Sequence, residues 1–85
     1  MRKTTSYLLS VNTIENPNPI ADALIAAYPG EVEASGVGRQ RAFIRFRASS
    51  PEEAIKVAES MRISREWELS FGYGVHKKVI RRGSR

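Results

Sequence analysis

Nine residues, Arg39 to Arg47 (RQRAFIRFR), restrict the fold of this chain more than any other stretch. Gln40, Ala42, Ile44 and Phe46 alternate with Arg39, Arg41, Phe43, Arg45 and Arg47. Side chains on a strand point alternately to opposite faces, so an extended segment seals a core with the first set and shows water the second. A helix would scatter the arginines around its cylinder and leave no continuous apolar stripe. The stretch therefore predicts a strand of a half-covered sheet, with four guanidinium groups and one aromatic ring, Phe43, on the uncovered side.

The rest of the chain must supply that sheet and its cover. Thr5 to Thr13 alternates Tyr7, Leu9 and Val11 with Leu8, Ser10 and Asn12, which predicts a first strand buried on the Tyr7 side. Asn18-Pro19 offers a helix start, with an asparagine to cap a free amide and proline at the first helical position. That helix runs to about Tyr28 with Ile20, Leu24, Ala27 and Tyr28 on one side, and Pro29-Gly30 stops it. Glu31 to Ser35 reads as a second strand, Val32 and Ala34 inward and Glu31 and Glu33 outward. The two glycines of Ser35-Gly36-Val37-Gly38 predict a hairpin turn into the arginine strand.

Ser50-Pro51-Glu52-Glu53 is the sharpest local signal. The serine hydroxyl can cap the Glu53 amide, Glu53 can reach back to the amide of Ser50, and two carboxylates face the positive end of the helix dipole. Ala54, Val57, Ala58 and Met61 then recur at helical spacing as a buried stripe. A last strand from about Trp67 to Val75 would turn Trp67, Leu69, Phe71, Tyr73 and Val75 to one face. The basic segment from about 76 to 85 would extend it or hang free. Strand, helix, strand, strand, helix, strand predicts one α+β domain over 1–85, a ferredoxin-like β-α-β-β-α-β sandwich. It would set both helices on one face of a four-stranded antiparallel sheet, the first and third strands central.

Charge is distributed unevenly over this plan. Before Arg39, two basic residues stand against four acidic ones; from Arg39 onward, twelve stand against five. With a net charge of +5 and an isoelectric point near 10.1, a polyanionic partner is expected, nucleic acid ahead of an anionic membrane. No apolar run approaches the roughly 20 residues that span a bilayer. The apolar stretch after Arg2 and Lys3 is too short for the core of a signal peptide. With no cysteine there is neither disulfide nor thiolate chemistry, and the expectation is a cytoplasmic protein that uses no membrane.

The arginine strand resembles the RNA-recognition motif, a ferredoxin-like family that binds single-stranded RNA on its open sheet. That family's third strand carries a basic residue, Gly, an aromatic, a small residue, an aromatic, an aliphatic, any residue and an aromatic. Arg39, Ala42, Phe43, Ile44 and Phe46 occupy the matching positions, while Gln40 replaces the glycine and Arg41 the first aromatic. The run SSPEEAIKVAE is similar to the start of the family's second helix. In the first strand, Leu9-Ser10-Val11 keeps the aliphatic positions, but Ser10 stands where the family places a stacking ring. The resemblance implies that Phe43 stacks on a base and Arg39 contacts a phosphate. Guanidinium planes also stack on bases, which lets Arg41 stand in for the missing ring.

Three readings of the arginine face compete: a polyanion site, a protein interface, and a solvated sheet whose arginines pair with Glu31 and Glu33. Two carboxylates cannot neutralise four guanidiniums. The sequence therefore predicts a binding module for single-stranded nucleic acid, RNA first. Its footprint would comprise Arg39, Arg41, Phe43, Arg45 and Arg47, extended by Lys77, Lys78, Arg81 and Arg82. The competing expectation is a protein partner or homodimer, as in a small phage or plasmid regulator, since aromatic and Arg side chains also dominate protein interfaces.

No enzyme is expected, and no cofactor or small-molecule substrate. His76 is the single histidine and has no cysteine or carboxylate cluster to complete a zinc site. A small enzyme of the acylphosphatase kind needs an anion-cradling loop straight after the first strand. Thr13-Ile14-Glu15-Asn16-Pro17 instead puts a carboxylate there, and the glycines near Ser35 lead into a strand where a nucleotide loop would lead into a helix.

Overall fold

The computed structural model describes residues 3–83. The elements are β1 (Thr5–Asn12), α1 (Pro17–Ala27), β2 (Ala34–Gly38), β3 (Arg41–Ala48), α2 (Pro51–Ser60), β4 (Trp67–Phe71), a 3-10 turn (Gly74–His76) and β5 (Lys78–Gly83). They form one α+β unit whose five strands make an antiparallel sheet in the order β2-β3-β1-β4-β5.

One face of the sheet builds the core. Tyr7, Leu9 and Val11 of β1 pair with Phe46, Ile44 and Ala42 of β3, and Leu69 and Trp67 of β4 continue the same layer. Ala21 and Leu24 of α1 and Ala54 and Ala58 of α2 close over it, with Ile20, Tyr28, Val57 and Met61 half-buried at the rim. Alanine at the α2 contacts lets the helix backbone approach the sheet closely. The aromatic volume comes from Phe46, whose ring lies 5.1 Å from that of Tyr28 and 6.3 Å from that of Tyr7. The 3.6-residue stripe of α2 and the two-residue period of β1 and β3 thus meet as the sequence predicts. The cap of α2 forms as well: Ser50 Oγ accepts the Glu53 amide at 3.1 Å, with Pro51 at the first position. The Glu53 carboxylate accepts a hydrogen bond from the Ser49 hydroxyl.

Six expectations are corrected. The first helix starts one Asn-Pro pair earlier than Asn18-Pro19: Asn16 Oδ1 accepts the Asn18 amide at 3.2 Å and Pro17 opens the helix. Both pairs carry the same cap chemistry, and only the geometry of the loop after β1 chooses between them. The second strand is not Glu31 to Ser35 but Ala34–Gly38, with Ala34 exposed and Val32 packed at the core rim before the strand begins. The hairpin turn therefore falls on Arg39 and Gln40, where Gln40 takes a left-handed φ of 56°, and not on the glycines. The glycines serve the strand: a Cβ on Gly36 would come within 2.7 Å of the Phe43 ring, so Gly36 makes room for that ring.

The last strand ends at Phe71, and the basic segment after it neither extends the strand nor hangs free. Gly72 (φ 96°) and Gly74 (φ 55°) reverse the chain, leaving Tyr73 and Val75 exposed. Residues 78–83 then return along β4 as a fifth strand, with an irregularity in the ladder at Leu69/Ser70. The sheet is thus five-stranded, not four-stranded. Ser84 and Arg85, the end of the expected basic tail, lie outside the described residues. No helix among the described residues is long and apolar enough to cross a membrane.

Candidate functional site: the helix-free sheet face

Alternation sends Arg41, Phe43, Arg45 and Arg47 of β3 to the face without helices, as predicted. They do not share one environment there. Arg45 reaches back across β1: its Nη1 donates to Ser6 Oγ and its Nη2 to the Gly72 carbonyl, both at 3.3 Å. Its guanidinium carbon also stands 4.0 Å from the centre of the Tyr73 ring. The turn after β4 therefore covers part of the arginine face, and Arg45 is half-buried, tying β1 and that turn to β3. Arg47 is occupied too. Its Nη1 meets Glu33 Oε2 at 3.0 Å, its Nε donates to Thr4 Oγ1 at 2.9 Å and its Nη2 to the Thr4 carbonyl at 2.8 Å. Glu33 also accepts the Ser6 hydroxyl at 2.8 Å. That hydrogen bond, followed by the one from Arg47, holds the Glu33 carboxyl below its usual range, so it stays ionised opposite Arg47 at neutral pH.

The opposite end of β3 differs. Arg41 is exposed at the start of the strand and Arg39 is exposed on the hairpin turn, so Arg39 does not belong to the alternating strand as expected. Neither guanidinium makes a hydrogen bond or ion pair with another described residue. Between them and Arg45, the half-buried Phe43 ring lies over Gly36. Leu8, Ser10, Arg41, Phe43 and Arg45 line a shallow groove of about 290 Å³. Ser10 is only 3% exposed, and its hydroxyl has no hydrogen-bond partner. A larger cleft of about 500 Å³ opens beyond the hairpin tip, where Arg39, Arg41 and Arg65 converge with Asn12 and Gln40. There Arg65 pairs with Glu15 at 3.0 Å.

The remaining predicted site residues are dispersed. Arg81 turns to the helix side and pairs with Glu59 of α2 at 3.0 Å, so it cannot extend a footprint on the open face. Arg82 lies on the open face but is engaged by Glu68 at 3.2 Å. Lys77 and Lys78 are exposed beside the Phe71 end of β4. That is the Arg47 end of the sheet, about 20 Å from Arg41 at the strand rise of roughly 3.3 Å per residue. His76 sits exposed in the 3-10 turn, and the described residues contain no group of three His, Cys, Asp or Glu side chains placed to hold a metal.

Sequence reasoning missed Tyr73, Leu8 and the orphan hydroxyl of Ser10. The glycines flanking Tyr73 were the available sign that the strand ends there and that its ring leaves the core. No protein-family model, curated protein or solved structure matches this chain.

Proposed function

We propose that this chain is a non-enzymatic binding module of ferredoxin-like design, with β5 as an added strand, that holds single-stranded nucleic acid, RNA first, on the hairpin half of its open face. The sequential order of β2, β3, β1 and β4 with both helices against one face supports the first part. The observation that carries the second is the division of the arginines. Arg45 and Arg47 spend their donors within the fold, whereas Arg39 and Arg41 keep theirs beside a half-exposed ring and a groove.

Phosphate oxygens suit the two unpartnered guanidiniums, which supply affinity without sequence discrimination. A base laid against Phe43 and Leu8 stacks on an apolar floor. The footprint is narrower than the sequence suggested: Arg39, Arg41 and Phe43 act directly, and Arg45 frames the groove.

Fluorescence anisotropy with labelled single-stranded RNA and DNA, titrated with salt, tests this. Affinity should fall with a log–log slope of about −0.7 per phosphate neutralised, so two contacts give about −1.4. The combined change Arg39→Glu and Arg41→Glu should abolish that component. A double variant that binds as the parent does, with an unchanged slope, removes the reading.

A further inference from the structure

The groove beside Phe43 is barred in the direction of Arg47. Glu33 Oε1 accepts the Ser6 hydroxyl at 2.8 Å, Ser6 Oγ accepts Arg45 Nη1, and Arg45 Nη2 donates to the Gly72 carbonyl, the last two at 3.3 Å. This bar runs across the open face from the segment before β2 to the turn after β4. The Glu33 amide fixes its near end by donating to the Arg45 carbonyl at 2.8 Å, and the Tyr73 ring stands on the Arg45 guanidinium. The flanks offer a polyanion little. On the β2 side the partners of Arg41, Phe43 and Arg45 are Gly38, Gly36 and Ala34, which carry no charge. On the β4 side the partners of Leu8 and Ser10 are Ser70 and Glu68, and Glu68 holds Arg82 beyond it. Around the groove, among the described residues, the guanidiniums without a partner are Arg41 on its rim and Arg39 in the cleft that follows, both at the hairpin end. Past them Glu66 lines the cleft and Arg65 is paired with Glu15, so the free cations number two.

A strand that runs through a site carries phosphates out on two sides, and each exit is stabilised where a cation meets it. This groove has such an exit on one side only. We propose, on the footing of the nucleic-acid reading above, that the groove seats the terminal nucleotide of a single strand. The end base lies against Phe43 and Leu8, the bar stops the chain behind it, and the phosphates that follow leave over Arg41 and Arg39. The module then recognises a free end. An internal stretch of the same strand fits poorly, because its second phosphate exit meets the bar, the Glu68 carboxylate or the uncharged β2 side. Arg45 and Tyr73 take a specificity role in this arrangement: they limit how far the strand can advance along β3.

A single-stranded oligonucleotide with an internal label, compared with the same molecule ligated into a circle, separates an end from a middle. At equal salt the linear form should bind about tenfold or more tightly than the circle, which has no end base to stack. When the length of the linear strand is doubled, the number of protein molecules bound per strand at saturation should stay the same. Arg45→Ala takes out the centre of the bar and should narrow the gap between linear and circular forms. If that variant fails to fold, the circle and the doubled strand carry the test on the parent chain. A circle that binds as tightly as the linear form overturns the inference and leaves the nucleic-acid reading standing. Binding to neither form overturns both, and an unchanged gap in folded Arg45→Ala overturns the role given to the bar.

Discussion

Replacing Arg45 by alanine separates an arginine that holds the fold from one whose guanidinium has no partner among the described residues. The change removes two hydrogen bonds of 3.3 Å, to Ser6 Oγ and the Gly72 carbonyl, and a guanidinium 4.0 Å from the Tyr73 ring. At that length each hydrogen bond belongs at the weak end of the usual range, about 0.5 kcal/mol. The cation–π contact, at a partly solvated site, adds about 0.5–1 kcal/mol. The sum is about 2 kcal/mol, and a domain of this size loses roughly 4–8 °C of Tm per kcal/mol, so the melting temperature should fall by roughly 10 °C. Thermal denaturation followed by circular dichroism reads this directly. Arg41→Ala, which breaks no described contact, should stay within about 0.5 kcal/mol of the parent. Oligonucleotide affinity should rank the two variants the other way round. A double-mutant cycle with Tyr73→Ala should return a coupling of about 0.5–1 kcal/mol. If Arg45→Ala melts within about 2 °C of the parent while Arg41→Ala does not, the division of the arginines into structural and free is wrong.

Gly83→Ala would bring a Cβ within 2.3 Å of the indole of Trp67, the single tryptophan, which is 8% exposed. The ring must move, so the emission should shift to the red and stability fall by about 1–3 kcal/mol, and unchanged fluorescence would count against this packing. Glu33 has a carboxyl held below 4.5 in the folded protein by hydrogen bonds from Ser6 and Arg47. Its stabilising contribution is complete above 4.5 and is lost as pH falls through the lowered folded value. Glu33→Gln should therefore lower the urea midpoint at neutral pH, with the gap to the parent closing below 4.5; a gap constant with pH would refute the assignment.

Local chemistry made much of this fold legible. The alternation of β1 and β3 needs only a sheet with one covered face, because a one-residue slip would put arginines in the core. The α2 start needs only Ser50, Pro51 and Glu53, all within four residues. The strand and helix order up to β4 followed from such signals. The basic segment from about 76 did not read as a separate strand, because Val79 and Ile80 are only two apolar residues among cations. What stabilises that segment lies far along the chain: Arg81 meets Glu59 and Arg82 meets Glu68. Gly36 misled for a related reason. Its lack of a side chain serves the Phe43 ring across the strand pair, a contact that no local rule separates from a turn.

The sequence by itself determined which residues turn away from the helices, because parity along a strand is a property of the backbone. Only tertiary structure decided which of those arginines are free to bind. The partners that occupy Arg45 and Arg47 come from Thr4, Ser6, Glu33 and Gly72, brought together by pairing of β1, β3 and β4 and by the reversal after Phe71. Charge can be counted along a chain, but whether a guanidinium is already spent depends on what folding places within about 3 Å of it.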